Sequence, residues 1–184
     1  HPDIDATGQA LAKTDMFWRR KLESMSGARI SGFNSTSGAS AVESIDLGAA
    51  TDLDEDTFRA AVASWACHQQ ESATATLAYP AAQIATGGIS DFVCPWVPVS
   101  IDATDASVAQ LKTLTADAIA QARENGGFAS DLLYRAPEAS AHVPDIGLTD
   151  GTEFIAGCAI TISVQTRSFQ YDTAKLSPET ASLL

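Results

Sequence analysis

The chain has 184 residues, of which 45% are hydrophobic, and it carries a formal net charge of −12 at pH 7. An acidic surface repels phosphate backbones, which argues against nucleic-acid binding, and no apolar run approaches the roughly 20 residues that a membrane helix needs. The first residues also lack the apolar region of a signal peptide, so we expect a cytoplasmic protein that has neither a nucleic acid nor a membrane as its partner.

The N-terminal region combines a helix with a connection. Apolar residues within 9–25 recur at helical spacing and predict a helix; they are Leu11, Phe17, Trp18, Leu22 and Met25. Arg19, Arg20 and Lys21 lie among them and indicate either a solvated face or a face that docks a partner. Residues 26–40 are rich in glycine and serine, which is typical of a flexible connection, and they contain no phosphate-binding loop pattern.

Strand and helix patterns alternate after this connection. Residues 41–48 alternate as a strand does, and residues 52–70 have a helical pattern with Asp54 as N-cap. Residues 73–81 form a β-prone run that contains Pro80.

The segment 87–103, GGISDFVCPWVPVSIDA, has the character of a buried strand, yet it contains Pro95 and Pro98. Proline removes a ladder donor and normally avoids central strands. We therefore expect both prolines at places where the sheet requires no amide.

The C-terminal part predicts further alternation. Residues 105–125 predict a long helix that ends at the glycine pair 126–127. Its expected apolar stripe comprises Val108, Leu111, Leu114, Thr115, Ala118, Ile119 and Ala122. The remaining elements are a short helix at 128–136, a loop at 137–153, strands at 154–165 and 168–176, and a helix capped by Ser177 with Pro178 in its first position. This order predicts a layered α/β domain.

Five stretches resemble the C-terminal lobe of nonribosomal peptide synthetase condensation domains. They are DMFWRRKLESMSG, DLDEDTFRAAVASWACHQQ, GISDFVCPWVPVSI, SVAQLKTLTADAIAQARENGGFASDLL and FIAGCAITISVQTRSFQYDTAKLSPETASLL. The first is similar to the family's YWRERLAG, the third to VGxFVNTLPLRV and the fourth to the helix that leads into HQDVPFEELV. The resemblance implies one lobe of the chloramphenicol-acetyltransferase-like fold, a layered sandwich of a mixed sheet with helices. It assigns 16–184 to this lobe and leaves 1–15 as a linker or as added residues.

The chain departs from the family's motifs at several positions. Phe92 and Val93 match the strand motif, whereas Ser90, Cys94 and Val99 replace its glycine, asparagine and arginine. Phe128 survives from the next motif, whose HQD is replaced by Arg123, Glu124 and Asn125. These changes indicate a degenerate lobe. We expect Phe92, Val93, Trp96 and Phe128 in its core, and Pro95 and Pro98 in a segment that crosses between lobes.

No catalytic, cofactor-binding or metal-binding residue is predicted on this chain. The family's catalytic motif, HHxxxDG, belongs to the N-terminal lobe, and His1, His68 and His142 do not reproduce it. Cys67 and His68 are neighbours, so their side chains diverge on a helix. Asp52, Asp54, Glu55 and Asp56 lack the spacing of a calcium loop, and Ser35, Thr36 and Ser37 have no identifiable base. Cys67, Cys94 and Cys158 are odd in number and far apart, which predicts buried free thiols rather than a disulfide or zinc site.

The resemblance implies a non-catalytic scaffold or interface for a neighbouring adenylation or carrier domain, the carrier bearing phosphopantetheine. Trp18, Arg19 and Arg20 are the predicted docking residues. One alternative is the C-terminal half of an active condensation domain, whose catalytic histidine lies on a missing lobe and which forms amide bonds between carrier-bound acyl groups. The other alternative is an unrelated α/β binding module.

Overall fold

The computed structural model describes residues 2–25, 30, 39–48, 52–81, 92–135 and 143–184. The helices are α1 (Pro2–Glu23), α2 (Glu55–Gln69), α3 (Val108–Asn125), α4 (Leu132–Arg135) and α5 (Pro178–Ala181). The strands are β1 (Val42–Asp46), β2 (Thr74–Pro80), β3 (Trp96–Asp102), β4 (Ile146–Thr149), β5 (Ile160–Ser163) and β6 (Ser168–Asp172). The predictions for His1, Ser35, Thr36, Ser37, Ser90 and His142, and for most of the connection at 26–40, lie outside the described residues.

The strands form one mixed, six-stranded sheet in the order β1-β6-β5-β4-β2-β3. Strands β2, β4 and β5 are mutually parallel, whereas β3 and β6 run antiparallel to their neighbours. Helix α2 packs against β2, α3 packs against β3, and the two helices contact each other. This arrangement confirms the predicted α/β class with a mixed sheet.

The segment between β4 and β5 covers the opposite, more polar face of the sheet. The Ser163 hydroxyl donates to the Gly151 carbonyl at 2.6 Å, and the Ile155 amide donates to Thr161 Oγ1 at 3.1 Å. Sheet hydroxyls therefore satisfy the backbone of the crossing segment, which allows it to lie on the sheet without unpaired polar groups at these points.

Strand β4 corrects the prediction of a loop over 137–153. All residues of β4 are buried, and the strand pairs with β2 and β5. A strand buried on both faces shows no polar alternation, and Gly147 and the nearby Pro144 made this one resemble a loop. A Cβ on residue 147 would lie 2.9 Å from Ile155 Cδ1 and 3.1 Å from Cys158 Sγ, so a larger residue would require these side chains to shift.

The two predicted N-caps, Asp54 and Ser177, are confirmed, whereas α3 begins at Val108, later than the predicted start at 105. Asp54 accepts from the Thr57 amide at 2.9 Å, Ser107 forms a capping box with Gln110, and Ser177 accepts from the Thr180 amide. Helix α1 begins at Pro2, earlier than predicted, and runs through most of the segment 1–15, whose assignment as a linker or added residues stays a prediction.

The apolar stripe of α3 is narrower than predicted. Leu111, Thr115, Ile119 and Ala122 are buried, whereas Val108 and Leu114 are exposed. Helical periodicity places residues on a face but does not give the width of the surface that covers this face.

Pro98 lies on β3, which is an edge strand. The Ala103 amide donates to the Ala73 carbonyl of the β2 side, so the amides of the odd-numbered residues of β3 point towards β2. Position 98 is even and pairs with Ala78, which directs its nitrogen away from β2. The sheet therefore requires no amide at Pro98, which answers the question that the sequence raised for this residue.

This alternation predicts the hydrogen-exchange pattern of β3. We expect the amides of Val97, Val99 and Ile101 to exchange at least about tenfold more slowly than those of Ser100 and Asp102, because only the first set donates to β2. Residue-resolved exchange by NMR measures this difference. Equal protection of Val99 and Ser100 would contradict the register or would place another strand against this edge.

Candidate functional site

A cleft of about 400 Å³ opens where β2 and β4 end side by side. We call it the Asp150 cleft; its lining residues are Tyr79, Pro80, Arg123, Thr149, Asp150, Gly151 and Glu153. The carboxyl ends of neighbouring parallel strands are the usual location of ligand sites in open α/β sheets. The cleft is therefore the candidate functional site.

Asp150 lies at the centre of an ion cluster built from three other elements. Its carboxylate accepts from Arg59 of α2, with 2.7 Å between Arg59 Nη2 and Asp150 Oδ1. Its other oxygen accepts from Arg123 of α3 and from the hydroxyl of Tyr79 at the end of β2. Arg123 also donates to the Tyr79 hydroxyl, at 2.9 Å. The cluster thus joins both helices on this face to the sheet.

The protonation states follow from these contacts. Burial raises the pKa of Asp150, but the hydrogen bonds from Tyr79 and Arg59 and the attraction of the two guanidinium groups outweigh burial, so its pKa lies below the ordinary value. Burial, followed by the contact with Asp150, raises the pKa of Tyr79 to about 12. At neutral pH the cluster therefore contains an ionised carboxylate and a protonated phenol.

The cluster is poorly suited to proton transfer at neutral pH. A general base works best when its pKa lies near the operating pH, and both groups titrate far from that value in opposite directions. The lone pairs of Asp150 are also occupied by donors. The arrangement instead suits structural cohesion and the binding of a charged ligand at its exposed side.

The thiols and the described histidine lie outside the cleft lining. Cys94 and Cys158 are buried, and burial raises their pKa values to about 11 and about 12 respectively, which suppresses the reactive thiolate. Cys67 is only half-buried, which corrects its predicted burial, and its thiol donates to the Ala73 carbonyl at 3.6 Å. His68 is exposed near the end of α2.

Within the described ranges, no three histidine, cysteine, aspartate or glutamate residues are grouped as metal ligands. The same part of the chain contains no helix whose length and apolar character would allow it to cross a membrane.

The structure confirms some of the predicted core residues and contradicts others. Phe128 is 1% exposed and Trp96 is 2% exposed, and their rings meet edge to face at 6.1 Å, which confirms both as core residues. Val93 is partly buried and pairs with Ala129. The core prediction for Phe92 is wrong, because its side chain is 68% exposed although its carbonyl accepts from the Ser130 amide.

The predicted docking residues differ in exposure: one is buried and two are exposed. Trp18 is 1% exposed, its ring lies 5.8 Å from that of Phe128, and its indole donates to the Asn125 carbonyl. Its predicted interface role is wrong, because the chain's own core already covers it. Arg19 and Arg20 are exposed; Arg19 pairs with Glu23 at 2.9 Å. Their docking role stays a prediction.

Sequence reasoning missed Asp150, Tyr79 and Arg59, and it treated Arg123 only as a replaced motif residue. The usable signal was an acidic residue directly after a short buried strand, at the edge where α/β proteins place functional groups. Assigning 137–153 to a loop removed this signal.

Comparison with solved structures identifies the fold. A variant of the starter condensation domain of rhizomide synthetase RzmA aligns with 95% of this chain and 50% of its own, with 12% identity and a TM-score of 0.61. The X-domain from teicoplanin biosynthesis aligns with 94% of this chain and 51% of its own, at 12% identity and a TM-score of 0.59. The first condensation domain of the CDA synthetase aligns over 95% and 48% of the two chains, at 12% identity and a TM-score of 0.55.

The chain spans about half the length of these structures. A comparison with protein-family models and with curated proteins finds no match, so the likeness is one of fold. The chain has the chloramphenicol-acetyltransferase-like fold of about half a condensation domain, as the sequence resemblance predicted.

Proposed function

We propose that the chain is a non-catalytic, condensation-like lobe of a nonribosomal peptide synthetase that serves as an interface for a neighbouring adenylation or carrier domain. The likeness in fold to about half a condensation domain carries this proposal, and the chemistry of the Asp150 cleft supports its non-catalytic part. Its carboxylate and phenol are held in the protonation states least suited to proton transfer at neutral pH. Phosphopantetheine would belong to the carrier partner and not to this chain.

An exposed apolar surface supports an interface role. We call it the α4 surface and define it by Met16, Phe92 and Tyr134, which are 66%, 68% and 85% exposed. Arg135, next to Tyr134, pairs with Asp15 at 3.0 Å, and the Phe92 carbonyl accepts from the Ser130 amide just before α4. These contacts bring the chain segments that carry all three residues close to α4. Exposed aromatic residues are the type that partner surfaces bury as hot spots.

A solved complex gives this role a precedent within the fold. The X-domain from teicoplanin biosynthesis, which is similar in fold to this chain, forms a complex with OxyB. A condensation-like fold therefore forms a complex with another protein in that system, and we propose that this chain binds a neighbouring domain.

Charge substitutions on the α4 surface test the interface. We expect Tyr134→Glu and Phe92→Glu each to weaken binding to the adenylation or carrier domain at least about tenfold, because each places a charge in a buried apolar contact. Val108→Glu is the matched control, since Val108 is 68% exposed but lies at the start of α3. Calorimetry with the purified adenylation domain, and with the carrier domain with and without phosphopantetheine, measures the affinities. Absence of binding to both domains by the parent chain would refute the proposal.

The half-length alignment favours a second candidate function. The chain would be the C-terminal half of an active condensation domain, and a complementary lobe would supply the catalytic histidine. Co-expression with an upstream segment that carries HHxxxDG tests this alternative. Amide formation that is lost when the second histidine of that motif is replaced would establish it and would overturn the non-catalytic assignment. The fold argues against the unrelated α/β module.

A further inference from the structure

The Asp150 cleft contains two opposite charges that do not pair with each other. The Arg123 side chain is 57% exposed and uses Nε and Nη2 for Tyr79 and Asp150, whereas its Nη1 has no hydrogen-bond partner within the described residues. Glu153 lines the same cleft and, within those residues, forms no ion pair or hydrogen bond. One guanidinium edge and one carboxylate therefore remain available to a ligand.

The charge distribution around the cleft indicates what ligand would fit. Arg59 divides its charge among Asp150, Glu55 and Asp56, so the cationic group of this cluster that stays open to a ligand is the exposed edge of Arg123. Glu153 adds one negative charge at the rim. A dianion such as a phosphate monoester would be repelled by Glu153, and a simple amine would leave the free edge of Arg123 without an acceptor. A molecule with one carboxylate and one ammonium group complements both.

We propose that the Asp150 cleft binds a small zwitterion of the free α-amino-acid type, its carboxylate on Arg123 and its ammonium on Glu153. Guanidinium and carboxylate form directed, charge-assisted hydrogen bonds, and about 400 Å³ lies within the range of small-molecule sites. The ring of Pro80 offers an apolar wall to the ligand side chain. A thioester-bound acyl group lacks the free carboxylate, so this site is distinct from the interface role proposed above.

A set of three ligands and three variants tests the assignment. The probes are L-leucine, leucinamide, which lacks the carboxylate, and N-acetyl-leucine, which lacks the ammonium group. We expect L-leucine to shift the amide resonances of Thr149, Asp150 and Gly151 in NMR titrations of the 184-residue chain. We expect each analogue to bind at least about tenfold more weakly, because each loses one charge-assisted contact.

The variants assign each ligand charge to one residue. Arg123→Gln is expected to weaken the binding of L-leucine and N-acetyl-leucine but not that of leucinamide. Glu153→Gln is expected to weaken the binding of L-leucine and leucinamide but not that of N-acetyl-leucine. Arg135→Gln is the matched control because this exposed arginine pairs with Asp15 and Asp131, away from the cleft. Within the described part of the chain, Glu153 forms no ion pair or hydrogen bond that its substitution would break, so its variant remains informative if Arg123→Gln destabilises the chain.

The proposal fails if L-leucine produces no shift at the cleft up to about 50 mM, which corresponds to negligible affinity. It fails equally if both analogues bind as tightly as L-leucine, or if Glu153→Gln leaves binding of L-leucine unchanged. None of these results bears on the α4 surface, whose test uses other residues and a protein partner.

Discussion

Replacing Trp18 with alanine is expected to lower the free energy of unfolding by about 3–5 kcal/mol, the range for removing a fully buried aromatic side chain. The indole is 1% exposed and packs against Phe17 at 4.8 Å and Phe128 at 5.8 Å between ring centroids. Its removal would leave a cavity where α1 meets the end of α3, and the Asn125 carbonyl would lose its donor. Urea denaturation of both proteins measures the difference.

Arg19→Ala is the control for the Trp18 substitution. Arg19 is the next residue of α1, and its exposed ion pair with Glu23 is worth no more than about 0.5 kcal/mol. Trp18→Phe is expected to lose less unfolding free energy than Trp18→Ala, because phenylalanine keeps an aromatic ring at this position. If Trp18→Ala were as stable as Arg19→Ala, the packing of α1 described here would be wrong, and a docking role for Trp18 would regain support.

Trp18 and Phe92 show where sequence reasoning about this fold stops. Helical periodicity placed Trp18 on an apolar stripe, and the motif match placed Phe92 in a strand, but both patterns lack the information on what covers each side chain. The structure buries Trp18 under Phe128 and leaves Phe92 facing solvent. The caps Asp54 and Ser177 were predictable because a cap is set by residues within one turn. Burial was not, because it depends on elements far away in the chain.

A strand assignment at 146–149 would have drawn attention to Asp150, but its partners in the cluster could not be predicted from the sequence, for the same reason. Its members occupy positions 59, 79, 123 and 150 and come together only through the order β4-β2 and the packing of α2 and α3. Each residue separately has an ordinary solvated interpretation. Only the pairing of β4 between β2 and β5 places Asp150 beside Tyr79 and below the two arginines.

Replacing Asp150 with asparagine is expected to lower the free energy of unfolding by about 1–3 kcal/mol, because it leaves two guanidinium groups without their shared anion. The expected loss of stability is smaller than for a fully buried ion pair, because the side chain of Arg123 is 57% exposed. The contact with Arg59, whose side chain is only 14% exposed, accounts for the larger part of the loss. Asp131→Asn is the matched control: this exposed carboxylate also pairs with an arginine, at 3.0 Å, and its removal is expected to leave the free energy of unfolding almost unchanged.

Acid should erase much of the difference between the parent and Asp150→Asn. The cluster lowers the pKa of Asp150 in the folded chain below the ordinary value of 3.8. The ionised carboxylate therefore stabilises the fold fully at pH values above its pKa in the unfolded chain. This contribution disappears as the pH falls through the pKa of Asp150 in the folded chain. Denaturation at a series of pH values is therefore expected to give the full difference at neutral pH and a shrinking one below about pH 4. A difference that stays constant or widens on acidification would show that the charge of Asp150 does not stabilise the fold. Since asparagine has nearly the same volume, the loss would then come from its amide nitrogen, which cannot accept the hydrogen bonds that the carboxylate accepts.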